Sequence, residues 1–206
     1  MKSDVIVVDS QGAGIAEAMH QAELTAQFRG LGPKDALHLR LLTEEMMGIV
    51  KGIAGGVQMR YWIDSESKKY ALHLESDIVM DLNKRAQLLE VSSSGKNSAA
   101  KGITGKLRDF FEESMCATAL TAPFYNPELT LYNPVSSPEL YASVVGVLDI
   151  KWSMNNYKAQ VKESREAGAK EAWDELEKSI VANLADEITI GIRGNHVELT
   201  VYYTAA

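Results

Sequence analysis

The chain has 206 residues, enough for one domain with a substantial core, and its 46% hydrophobic and 24% charged content is ordinary for a folded globular protein. With 28 acidic and 21 basic residues the net charge is −7, which argues against nonspecific DNA or RNA binding, since that rests on many Lys and Arg contacts to phosphate. No apolar run approaches the length of a membrane span, no export signal follows Val5–Val8, and Cys116 stands alone, so the expectation is a single cytoplasmic domain over residues 1–206 without a disulfide.

In chain order, residues 4–10 are rich in β-branched side chains and predict a short strand. Gly12 and Gly14 follow, and apolar spacing then predicts a helix over 15–28. Gly30-Leu31-Gly32 ends it, and Pro33 suits the first turn of a second helix running to about residue 53. Residues 57–63 and 70–75 flank the polar segment 64–69 and predict a β-hairpin. A Ser/Gly/Asn/Lys loop over 92–98 leads to a helix over about 99–115. Residues 122–138 carry Pro123, Pro127, Pro134 and Pro138, and about 122–150 reads as an ordered insertion. Trp173, Leu176, Ile180 and Leu184 recur at helical spacing, predicting one long helix over 156–184. Residues 187–193 and 196–203 form a closing hairpin across Gly194-Asn195. Helices interspersed with antiparallel pairs, without βαβ alternation, favour an α+β fold built as a two-layer α/β sandwich.

The second helix carries the most information. At about 100° per residue, Leu39, Leu42, Met46, Ile49, Val50 and Ile53 share the core side. Leu37, Leu41, Glu44, Gly48 and Gly55 cluster opposite, with Gly52 close by. A glycine inside a helix costs about 1 kcal/mol relative to alanine, so its presence asks for a reason. Packing of a neighbouring helix against the glycines, with Glu44 solvated at the rim, is the more economical one. A ligand lying beside a carboxylate is the other.

The segment from Leu39 to Ile49, with Glu44 four positions before Gly48, resembles the N-box helix of the Bergerat (GHKL) ATPases, above all the anti-sigma-factor kinases. The resemblance implies a histidine-kinase-like ATPase fold with an insertion. It also implies Glu44 as general base, and position 48 as the place of the metal-holding Asn. Here that position is Gly48, which has no side chain to hold Mg²⁺. Asp77 corresponds to the Asp that binds the adenine amino group, although the glycines that follow it in the family are absent. Residues 92–106 correspond to the ATP lid, with Lys101, Gly102, Gly105 and Lys106 near a helix start that favours phosphate. The implied function is an adenine-nucleotide-binding regulatory protein, binding ATP or ADP, with Mg²⁺ use in doubt and weak or no catalysis. The alternative is a non-catalytic protein-interaction module, meeting a protein partner or a second copy.

Other motifs fail on their spacing. Gly102 to Lys106 lacks the glycine and hydroxyl of a phosphate-binding loop, since Ala100 and Leu107 stand there. Gly12-Ala13-Gly14 would need a third glycine where Glu17 stands. His20, His38, His73 and His196 have no partner at a metal-ligand spacing, so no zinc site is expected. The alternating charges over 158–178 read as a solvated face, and Trp62, Trp152 and Trp173 as core anchors.

Overall fold

A computed structural model of the chain describes residues 1–53, 57–77, 105, 107, 150–163, 169–193 and 196–206. The elements in order are β1 (Ile6–Asp9), α1 (Ile15–Phe28), α2 (Pro33–Gly52), β2 (Gln58–Glu66), β3 (Lys69–Asp77), β4 (Ile150–Ser153), α3 (Met154–Glu163), α4 (Ala169–Lys178), α5 (Ile180–Leu184), β5 (Glu187–Arg193) and β6 (His196–Thr204). The six strands form one sheet in the order β1-β2-β3-β6-β5-β4, and every described pairing is antiparallel. The class is α+β, with helices on one face of the sheet.

Alternation along each strand divides the sheet into two chemically different faces. Met59, Tyr61 and Ile63 on β2, Tyr70, Leu72 and Leu74 on β3, and Val197, Leu199 and Val201 on β6 are buried beneath the helices. The α2 side chains Leu39, Leu42, Met46, Ile49 and Val50 belong to the same core, as do Ala18 and Ala22 of α1. The core stripe expected of α2 is therefore the one that packs on the sheet. Inside it, the Thr43 hydroxyl donates to the Leu39 carbonyl at 2.9 Å and lies 2.8 Å from the Tyr61 hydroxyl. With the Thr43 hydrogen engaged, Tyr61 is the donor of the second bond. Burial pushes the Tyr61 phenol far above its ordinary range, so it stays a donor.

The turn from β1 into α1 has a local cause. The Asp9 carboxylate accepts from the Gln11 and Ala13 amides at 2.9 and 3.0 Å, folding the chain back on itself. Gly14 then caps the helix with φ 71°, and a Cβ there would lie 1.9 Å from the Val7 carbonyl oxygen. Only glycine fits, so the glycines after β1 have a structural explanation that needs no dinucleotide.

The structure corrects four expectations. Residues 64–69 do not link two short strands: β2 continues to Glu66, β3 starts at Lys69, and Ser67 turns the chain at φ 52°. The helix expected over 156–184 does not run through Ser179. Ser179 has an extended backbone (φ −79°, ψ 124°) and its hydroxyl accepts from the Ala182 amide, which starts α5 afresh. Val181 and Ala182 are buried there while Ile180 is 44% exposed, so the heptad-like stripe does not run through. The end of the expected insertion is strand, since Ile150 opens β4, at the opposite edge of the sheet from β1. Trp62, finally, is buried on the face away from the helices, whereas Trp152 and Trp173 do join the core. The loop over 92–98 and most of 99–115 and 122–150 lie outside the described residues. No described helix is long and apolar enough to cross a membrane.

Candidate functional site

Two surfaces carry the residues of interest, on opposite sides of the sheet. On the helical side, α2 turns Leu37, Glu44 and Gly48 away from the core, and all three are exposed. A Cβ built at Gly48 would meet nothing within 4 Å. The space above the glycine is thus open among the described residues, and no described helix fills it. Gly105 and Leu107 are helical, with Gly105 half-buried and Leu107 in the core. Lys101, Gly102 and Lys106 lie outside the described residues.

Asp77 is on the other side. It ends β3 in register with His196, and its neighbour Ser76 is the one buried toward the helices. The structure therefore does not bring Asp77 together with Glu44 and Gly48. Arg60 of β2 reaches it as a fork, Nη1 to Oδ2 at 2.6 Å and Nη2 to Oδ1 at 3.0 Å, and also donates from Nε to Glu75 at 3.3 Å. His196 Nδ1 lies 2.5 Å from Asp77 Oδ1 and 3.4 Å from Glu75 Oε1. The Arg60 hydrogen bond holds the Asp77 carboxyl below its ordinary range, and the same bond holds the Arg60 charge more firmly.

A second cluster adjoins this one. The His73 imidazole stacks on the Trp62 indole with ring centroids 4.8 Å apart and planes 4° from parallel. Its Nδ1 lies 2.6 Å from Glu198 and its Nε2 3.4 Å from Asp64, which also accepts from the Trp62 N–H at 3.1 Å. The Lys2 ammonium lies 4.2 Å from the Trp62 ring centre, a cation–π contact. The chemistry of this face is that of fixed carboxylates and imidazoles in cross-strand register. Such a face holds positive charge, and the Thr200 hydroxyl lies on it 3.4 Å from His73 Nδ1 and 3.3 Å from Glu198 Oε1.

Of the outer cluster, sequence reasoning had singled out Asp77 alone. Arg60, Glu75 and His196 were missed because their proximity comes from the pairing of β3 with β2 and with β6, which spans 119 positions between Asp77 and His196. The one available signal was polar alternation: Glu75 and Asp77 on β3, His196 and Glu198 on β6. Comparison of the chain with protein-family models, with curated proteins and with solved structures gives no match.

Proposed function

We propose that the chain is an adenine-nucleotide-binding regulatory domain with little or no phosphoryl-transfer activity, its ligand lying on the open side of α2. The observation that carries this reading is Gly48. A glycine inside a 20-residue helix costs about 1 kcal/mol, and no described atom packs close enough to explain it. Close approach of a ligand beside Glu44 supplies a reason. The order of elements supports the same reading: a strand and two helices, then a hairpin, with a further hairpin closing the chain, as the resemblance to the histidine-kinase-like ATPase fold implies. Catalysis is weak on this reading because position 48 offers no metal ligand, and phosphoryl transfer depends on a positioned cation.

The placement of Asp77 favours a second reading, a non-catalytic protein-interaction module. Its carboxylate is engaged by Arg60 and His196 on the far face, leaving the adenine without that partner. Titration with a fluorescent ATP analogue, with and without Mg²⁺, separates the two. Saturable binding that Mg²⁺ barely alters supports the nucleotide reading; no binding at millimolar nucleotide supports the interaction module. A thermal-shift scan gives the same answer, since ligand at about 100 times its dissociation constant adds roughly 2.7 kcal/mol of stability.

A further inference from the structure

We propose that Glu75, Asp77 and His196 bind a divalent transition-metal ion, of the zinc or cobalt class, on the sheet face opposite the helices. One imidazole and two carboxylates are a ligand set such ions accept, with water completing the coordination. Each of the three offers a ligand atom, and these atoms all lie within 4.8 Å of one another. Metal–ligand bonds of about 2.0–2.2 Å place neighbouring ligand atoms roughly 3.3–3.5 Å apart in a tetrahedral set. His196 Nδ1 and Glu75 Oε1 already stand 3.4 Å apart, so the main adjustment is a rotation of Asp77 away from its 2.5 Å contact with the imidazole. The sheet supplies rigidity, because Glu75 and Asp77 are alternate residues of β3 and His196 is directly opposite Asp77 on β6.

Glu75 sits directly opposite Glu198 across the strand pair, with Arg60 on the first carboxylate and His73 on the second. Asp64, Glu75, Asp77 and Glu198 share this stretch with Arg60, Lys2 and the imidazoles of His73 and His196. Arg60 shows that a cation is held here: its guanidinium bridges the same two carboxylates. Its side chain is 40% exposed, so a metal would compete with it from solvent for the two carboxylates.

Arg60 also makes the proposal testable beyond simple ligand removal, because it competes with the metal. Metal-free full-length protein is titrated with Zn²⁺ by calorimetry and with Co²⁺ by absorption spectroscopy. One ion per chain is expected, with a Co²⁺ spectrum of low-coordinate oxygen and nitrogen ligation. His196→Ala, at a side chain 53% exposed and so harmless to folding, weakens binding about tenfold or more, and Asp77→Asn does likewise. Arg60→Gln tightens it, because the competing charge is gone. Absence of binding, affinity indifferent to His196→Ala, or weaker binding by Arg60→Gln would each overturn the proposal. Circular dichroism of each variant confirms that the fold is kept.

Discussion

Gly48→Ala tests the reading of α2 through stability alone. The residue is exposed, within a helix that ends four positions later at Gly52, and a Cβ there meets nothing within 4 Å. Among the described residues the substitution therefore brings no clash and removes no packing. What remains is the propensity difference between glycine and alanine, about 0.8–1 kcal/mol in favour of alanine. For a chain of this size that raises Tm by about 2–4 °C. Urea unfolding followed by circular dichroism measures it, and the midpoint should rise with the slope unchanged. A loss of about 1 kcal/mol or more would refute the reasoning, for it would mean that another part of the chain packs against the glycine. If the fold gains stability and nucleotide affinity falls, the glycine is held for the ligand at the expense of the fold.

Gly14→Ala places a Cβ 1.9 Å from the Val7 carbonyl at φ 71°, and we expect a loss of about 2–4 kcal/mol in urea unfolding; a loss below about 1 kcal/mol would show that the β1–α1 turn has another conformation open to it. Tyr61→Phe removes a buried donor to Thr43 while Thr43 keeps its bond to the Leu39 carbonyl, so the loss should be about 1 kcal/mol, and no change would place the donor elsewhere. Asp77 has a folded-state pKa below its ordinary 3.8, so the stability it contributes is fully present above that value and is lost as pH falls through the lower, folded value. Unfolding curves taken across this acid range should show a shallower decline for Asp77→Asn than for wild type, and parallel curves would show that the Arg60 pair adds nothing.

Where local periodicity and glycine punctuation set the structure, the sequence was legible. α1 begins at Ile15 and ends at Phe28, and α2 begins at Pro33, because a proline at the first turn and glycines beyond the ends leave little choice of boundary. The hairpin pairs were legible for the same reason, through alternation broken by turns. The break at Ser179 was not, because Trp173, Leu176, Ile180 and Leu184 keep a helical spacing across it; only the hydroxyl's bond to Ala182 reveals a new helix start. β4 was hidden because four residues give alternation too little room to register, and its identity as strand comes from pairing with β5. Trp62 was assigned to the core on size and hydrophobicity, yet its place in β2 puts it on the outer face, where His73 stacks against it. The site was legible where it lies on one helix, as with Glu44 and Gly48. The outer cluster was not, because Arg60, Glu75, Asp77 and His196 meet only through the register of three strands.

The central claim is that the open side of α2 receives a nucleotide, and Gly48→Leu tests it most directly. Leucine is a far better helix former than glycine, and no described atom lies within 4 Å of a Cβ at position 48, so the variant should fold at least as stably as wild type. A bulky side chain there would stand in the ligand's place. Titrating wild type and Gly48→Leu side by side with a fluorescent ATP analogue should give saturable binding by wild type and binding weaker by about tenfold, roughly 1.4 kcal/mol, or more in the variant. Equal affinity in the two proteins, or no binding by wild type at millimolar nucleotide, would contradict the account.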